Sequence, residues 1–359
     1  MQAMVVREPI GVCGQIVPWN YPLLMTAWKL APALAAGNTV VFKPAEITPL
    51  TAIKLFEIID QIGFPKGVAN LVLGAGPTVG HELAVNEKVD KIAFTGGTAT
   101  GKSIMSAAIG NLKKVALELG GKSPNIVFAD ADFETAVDYA LFGIFANQGQ
   151  VCSAGSRLLL EASIFDRFVA CLAERAKKIK VGSGLADDTE MGPLISKAHM
   201  DKVLDYIDIG LKEGATLVCG GKRLQTEGLE NGYFVEPTIF INTTEDMRIV
   251  KEEIFGPVLV VQKFTDEVQA IAMANNTIYG LAGAVFTSDG AKALRVIKKL
   301  RAGITWINCY HPTYNEAPWG GYKQSGMGRE LGTFGFEQYT EVKQININLK
   351  VEPTGWFSK

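Results

Sequence analysis

Histidine is scarce in this chain, and paired metal-binding cysteines are missing altogether. The three histidines, His81, His199 and His311, are far apart and form no HExxH pair, so neither a zinc hydrolase nor a Cys-His protease is supported. The five cysteines, Cys13, Cys152, Cys171, Cys219 and Cys309, are odd in number and contain no CxxC. That argues against a disulfide framework or a zinc site and suits a reducing compartment. Basic runs long enough to track phosphates are also lacking, and the formal net charge is -2, so nucleic acid is not an expected partner. Long apolar runs are missing too. The stretch from Leu30 to Phe42 is interrupted by Pro32, Gly37 and Asn38, too short and too broken to span a bilayer, and MQAMVVREPIG holds no apolar signal core. The expected location is the cytoplasm, with no membrane contact. No internal repeat or low-complexity segment appears.

What is present is an ordinary globular composition. Of 359 residues, 48% are hydrophobic and 20% charged, enough for a large core and two or three domains. IGVCGQIVPW, NTVVFKP, VANLVLGAG, KIAFTGG, KKVALELGG and SPNIVFAD are short β-branched runs bounded by Gly, Pro or Asp, which is the pattern of buried parallel strands. Helical stretches separate them. In TPLTAIKLFEIIDQIG, for example, Leu50, Ile53, Phe56, Ile59 and Ile62 hold roughly one face. Alternation of this kind predicts a doubly wound α/β domain, with ligands bound beyond the carboxyl ends of its strands. It resumes after Ala129: helix DFETAVDYALFGIF, strand SRLLLE, helix IFDRFVACLAERAKKI, helix ISKAHMDKVLDYIDIGLKEG, then strands around Phe234 to Ile241 and Val258 to Phe264. A second α/β domain is expected there, and the alternating end EVKQININL reads as a strand outside both domains, free to pair with another subunit.

One cysteine stands out. Cys152 lies in FANQGQVCSAGSRLLLE, among small and polar residues that suggest a nucleophile mounted at a bend. A free thiol is only a few per cent thiolate at neutral pH, so a nucleophilic cysteine needs a base or a depressed pKa. Glu118, in LELGGKSPN, is the candidate base, and the Gly-Gly after it lets the backbone turn and bring another group close. A buried structural thiol is the alternative.

Two glycine-rich segments are candidate phosphate sites. GAGPTVG (74 to 80) departs from G-x-G-x-x-G, whereas FTGGTATGKS (94 to 103) sets Gly96, Gly97 and Gly101 between a strand and a helix, where free N–H groups could hold a pyrophosphate. Simple turns remain open as the alternative. Lys43 and Glu46 follow another strand. The lysine could bond ribose hydroxyls and the carboxylate would repel a 2'-phosphate, or the two form a solvated charge pair.

Taken together these segments resemble the aldehyde dehydrogenase superfamily. PWNYPLLMTAWKLAPALAAGNTVVFKPAEITPLTA, FTGGTATG, LELGGKSPN, NQGQVCSAGSR, EEIFGPVL, YGLAGAVF and PWGGYKQSGMGRELG occur in that family's order and cover nearly the whole chain. The resemblance implies an α/β fold with a Rossmann-type cofactor domain (8–121, shortened at its N-terminus), a catalytic domain (122–324), a return segment (325–340) and an oligomerisation arm (1–7 and 341–359). It implies NAD-dependent oxidation of an aldehyde, in a homodimer or homotetramer. Residue by residue, it makes Cys152 the nucleophile, Glu118 the base that activates the deacylating water, and Asn20 part of the oxyanion site. Glu253 and Phe255 match nicotinamide-ribose contacts, and Lys43 and Glu46 match adenosine-ribose contacts, Glu46 favouring NAD over NADP. Lys29 and Glu330 match a buried proton-relay pair, with a structural ion pair as the alternative. A glutamate in the ELGGK position favours hydrolysis over acyl transfer to CoA.

For the substrate, NCYHPTYNEAPWGGYKQSG and the terminal GWFSK resemble the bacterial branch acting on betaine aldehyde, with Tyr21, Trp28 and Trp319 as an aromatic box for a quaternary ammonium group. Ala146 departs from the pattern, because some members of that branch carry an aromatic residue six positions before the cysteine. Aminoaldehydes and generic aldehydes are the alternatives. Family members also usually have a long segment before REPIGVCGQIVPWN. Its absence here predicts exposed apolar surface, an unpaired hairpin strand, and, as a competing reading, a catalytically impaired NAD-binding or structural subunit.

Overall fold

The computed structural model describes residues 1–226 and 228–357. In chain order the strands are β1 (Gln2–Pro9), β2 (Val12–Ile16), β3 (Thr39–Lys43), β4 (Ala69–Leu71), β5 (Lys91–Thr95), β6 (Lys114–Glu118), β7 (Pro124–Val127), β8 (Arg157–Glu161), β9 (Thr216–Cys219), β10 (Thr238–Ile241), β11 (Val258–Phe264), β12 (Ala282–Phe286), β13 (Ile304–Ile307), β14 (Gly326–Met327) and β15 (Thr340–Ile347). They build two large sheets and a ribbon. The first sheet has the order β14-β6-β5-β2-β3-β4 and is parallel except at β14. The second has the order β13-β12-β7-β8-β11-β10-β9 and is parallel except at β9.

Runs such as KIAFT in β5 and LVVQ in β11 are buried because helices cover both sheet faces, so strict apolar–polar alternation is lost. In the first sheet the order reverses at β2, whose neighbours are β3 on one side and β5 on the other. That reversal opens a crevice at the carboxyl ends, from which Asn20, Thr95 and Glu118 emerge. The segment after β2 enters the Pro22–Ala35 helix through Pro22, whose missing N–H would be unpaired there in any case. This helix buries Trp28 and Lys29.

Three expectations need correction. The Leu50–Gln61 helix does not bury the stripe read from its sequence: Leu50 and Ile62 are exposed, and the helix turns Ala52, Leu55, Phe56 and Ile59 to the sheet. Leu50 and Ile62 lie at the two ends of the helix, beyond the strands it covers. The strand expected around Phe234 to Ile241 begins only at Thr238. The hairpin strand expected to be unpaired has a partner, since β1 and β15 pair antiparallel from Gln2↔Ile347 to Pro9↔Thr340. Of the GWFSK end, residues 358 and 359 lie outside the described residues, and Trp356 and Phe357 are exposed. No described helix is long and apolar enough to cross a membrane.

Candidate active site

Cys152 is delivered by a backbone irregularity. Asn147, Gln148 and Gly149 have φ of 49°, 57° and 70°, three successive left-handed residues that bend the chain between the Phe133–Phe145 helix and β8. At Gly149 only hydrogen fits, because a Cβ would collide with the Gly256 carbonyl oxygen. The Asn20 side-chain amide crosses to this loop and donates to the Gln150 carbonyl at 2.9 Å. One amide N–H thus fixes Asn20 beside the cysteine loop, and the other is left for a ligand.

Gly120 and Gly121 meet half of the expectation, bringing other groups close without a turn in positive φ. Neither adopts a positive φ, so they serve close approach rather than a turn. A Cβ on Gly121 would stand 2.6 Å from the Cys152 carbonyl oxygen, and one on Gly120 would overlap the Glu253 carboxyl. The Gly121 N–H donates to Glu253 Oε1 at 3.1 Å. The two glycines therefore let Glu118, Cys152 and Glu253 converge from β6, the cysteine loop and the segment after the Arg248–Lys251 helix.

Electrostatics in this cluster favour neutral forms at rest. The Cys152 thiol is pushed up to about 12, mainly by burial, then by the Glu253 and Glu118 carboxyls, while the N–H groups of Ser153 and Cys152 favour the anion. Glu118 is raised well above the usual carboxylate range by burial and by Glu330, with Lys29 and Arg329 opposing. Glu253 is raised to about 7 by burial. Lys29 Nζ donates to Glu330 Oε1, a pair 1% and 6% exposed respectively. Glu118 Oε2 and Glu330 Oε2 are both buried without a partner.

Two cavities adjoin at Cys152, Glu118, Tyr21, Met25 and Thr95, which line both. One, of about 290 Å³, is lined by Gly96, Gly97, Glu253, Phe255 and Asn20. The other, of about 230 Å³, is lined by Tyr21, Trp28, Trp319, His311 and Glu330. Trp28 and Trp319 meet edge to face, with ring centroids 5.5 Å apart. Ala146 does not reach the second cavity.

The chain belongs to the aldehyde dehydrogenase family. The family's sequence model matches residues 1–345. A betaine aldehyde dehydrogenase of Bacillus subtilis is 62% identical over 357 residues, 99% of this chain and 73% of that protein. Human retinal dehydrogenase 2 is 54% identical over 96% of this chain and 66% of its own length. Among solved structures, betaine aldehyde dehydrogenase of Staphylococcus aureus in complex with NAD+ superposes with a TM-score of 0.98 at 55% identity, covering 99% of this chain and 71% of that one.

Not every candidate residue lines a cavity. Gly101 is buried against Leu119, where a Cβ would lie 2.5 Å from Cδ2, so it packs the helix closely on the chain after β6. Gly97 caps the Thr98–Ala107 helix without any side-chain bond to its N–H groups. Lys43 and Glu46 stand apart from both cavities, at the end of β3. Their charges are 3.6 Å apart, and Glu46 Oε1 accepts from the Gly76 N–H at 2.6 Å.

Sequence reasoning missed several lining residues. Trp19, Thr95, His199 and Lys202 face the first cavity, and Leu24 and His311 the second. Trp19 and Leu24 adjoin candidates already chosen and were within reach. His199 and Lys202 sit on a helix far along the chain and carry no local signal.

Proposed function

We propose that this chain oxidises an aldehyde to its carboxylic acid with NAD as cofactor, and that betaine aldehyde is its substrate. The observation that carries the reading is the pair of cavities meeting at Cys152, each also bordered by Glu118. One side suits a cofactor and the other an acyl group.

The first cavity would take the nicotinamide end of a dinucleotide, whose adenosine end would extend beyond it toward Lys43 and Glu46. The uncapped N-terminus at Gly97 leaves N–H groups for a pyrophosphate, Glu253 and Phe255 would hold the nicotinamide ribose, and Lys43 and Glu46 the adenosine ribose. When bound, NAD supplies the hydride acceptor that converts a Cys152 thiohemiacetal into a thioester. The chain's own residues do the rest. With Glu118 in its ionised form, the Cys152 sulfur attacks the aldehyde carbon as its proton passes to that carboxylate, and the developing oxyanion is met by the free Asn20 N–H and the Cys152 backbone N–H. Glu118 passes that proton on to solvent, then takes one from the water that attacks the thioester and returns it to the departing sulfur, releasing the acid and the thiol. The unpartnered Oε2 atoms of Glu118 and Glu330 leave a lone pair on each for that proton. Lys29 holds Glu330 in place beside Glu118.

In the second cavity, the aromatic rings of Tyr21, Trp28 and Trp319 favour a quaternary ammonium group, each ring face that it meets being worth about 0.5–2 kcal/mol when desolvated. The kinship with betaine aldehyde dehydrogenases supports the same choice. Free cysteines suit the cytoplasm. The open outer edges of the β1–β15 ribbon suit a homodimer or homotetramer.

NADH absorbance with betaine aldehyde, propanal and benzaldehyde tests the reading against Cys152→Ala. Betaine aldehyde should be turned over with the highest kcat/KM, and the variant should be inactive. No NADH from any aldehyde, in protein that binds NAD by calorimetry, would instead support a binding subunit.

A further inference from the structure

The segment from Glu253 to Phe255 is tied at both ends, and the second tie is a histidine. Glu253 is held by the Gly121 N–H. Phe255 is held by His199, in the first turn of the Lys197–Lys212 helix, where the Ser196 hydroxyl accepts the His199 N–H at 3.2 Å. His199 Nε2 lies 2.7 Å from the Phe255 carbonyl oxygen. A carbonyl can only accept, so Nε2 carries the proton and donates it.

That bond falls on a strained residue. Phe255 has φ of 64°, a left-handed conformation unfavourable to a bulky side chain, which persists only where its surroundings enforce it. The rings around it are interlocked. His199 meets Trp19 edge-on at 5.3 Å, Trp19 meets Phe255 at 5.4 Å, and His199 meets Phe255 at 6.1 Å. All three line the first cavity. Their aromatic contacts would hold a ring in place but would not by themselves select the left-handed backbone. A directed hydrogen bond to the carbonyl does, because rotating φ and ψ swings that oxygen away from the donor.

We propose that His199 is a positioning residue for the cofactor: its Nε2–H locks Phe255 in the left-handed conformation and so fixes the Trp19–Phe255 wall of the dinucleotide cavity. The inference rests on the NAD reading above. Burial lowers the pKa of His199, with the Phe255 hydrogen bond opposing and Lys202 adding to the fall, in keeping with a neutral ring that donates through one nitrogen.

Three variants separate the hydrogen bond from the bulk of the ring. In His199→Gln the amide nitrogen reaches about as far as Nε2, in His199→Asn it falls short, and in His199→Leu no donor remains. Calorimetric titration should show NAD bound about tenfold more weakly by the Leu and Asn variants, ~1.4 kcal/mol. Their KM for NAD should rise by more than their kcat falls, and the Gln variant should recover most of the affinity. Wild-type affinity in the Leu and Asn variants, or equal impairment of all three, overturns the proposal. If Leu does not fold, the contrast of Asn with Gln decides. If the wild-type protein itself does not bind NAD, the functional reading fails. The lock is then judged by the crystal structure of His199→Asn, where a retained positive φ at Phe255 overturns it.

Discussion

Glu118 and Cys152 line the same two cavities, which also share Tyr21, Met25 and Thr95. A carboxyl so placed can serve a step in either cavity. It is the end residue of β6, paired in register with Thr95 of β5, so its position is set by the sheet rather than by a mobile loop. The Lys29–Glu330 pair lies behind it.

Glu118→Gln should separate acylation from hydrolysis. We expect one NADH released per site in a burst, followed by turnover slowed by about 10²–10⁴-fold, with acyl-enzyme visible by intact-mass measurement. Unchanged steady-state turnover would remove Glu118 from the hydrolytic step.

Trp319→Leu tests the acyl side. Loss of one desolvated aromatic face should raise the KM for betaine aldehyde by roughly 2- to 30-fold, while propanal, which carries no cation, changes by less than twofold. Equal effects on both aldehydes would mean that the indole only fills space.

Gly101→Val tests the packing of that glycine. Its side chain would press on buried Leu119, an overpacking cost of about 1–3 kcal/mol, so the protein should unfold at a lower temperature. Its Kd for NAD should stay the same. A large loss of NAD affinity at unchanged stability would assign Gly101 to the phosphate site.

Glu253 gives the free protein a pH signature. Burial moves its carboxyl from the ordinary 4.5 to about 7 on folding. Between those values the folded state holds a proton that the unfolded state has released, so raising the pH favours unfolding. The loss begins above about pH 4.5 and is complete near pH 7, at most ~3 kcal/mol. In Glu253→Gln that slope should become shallower in denaturant titrations run across this window, the remainder belonging to Glu118, which burial also raises. An identical slope in both proteins would assign it to other groups.

Local signals reached part of this site. Gly96, Gly97, Glu118 and Cys152 sit in short motifs whose residue types announce their chemistry, and the strands carrying them were visible as β-branched runs. The left-handed run at Asn147–Gln148–Gly149 was hinted at by its Gln-Gly-Gln composition. Leu50 and Ile62 misled, because periodicity marks a face but not where the sheet beneath it ends. A glycine after a strand looks the same in sequence whether it faces a phosphate or, as Gly101 does, Leu119.

The sequence by itself determined the family, the alternation of strands and helices, and the identities of the reactive thiol and its carboxyl neighbour, since these depend on residue type and order along the chain. Only the tertiary structure decided which distant residues share a wall. Gly121 against the Cys152 carbonyl, Glu253 against Gly120, and His199 on the Phe255 carbonyl are pairings across dozens of residues. They arise because two sheets and their connecting helices pack at one crevice, a packing that no local pattern encodes.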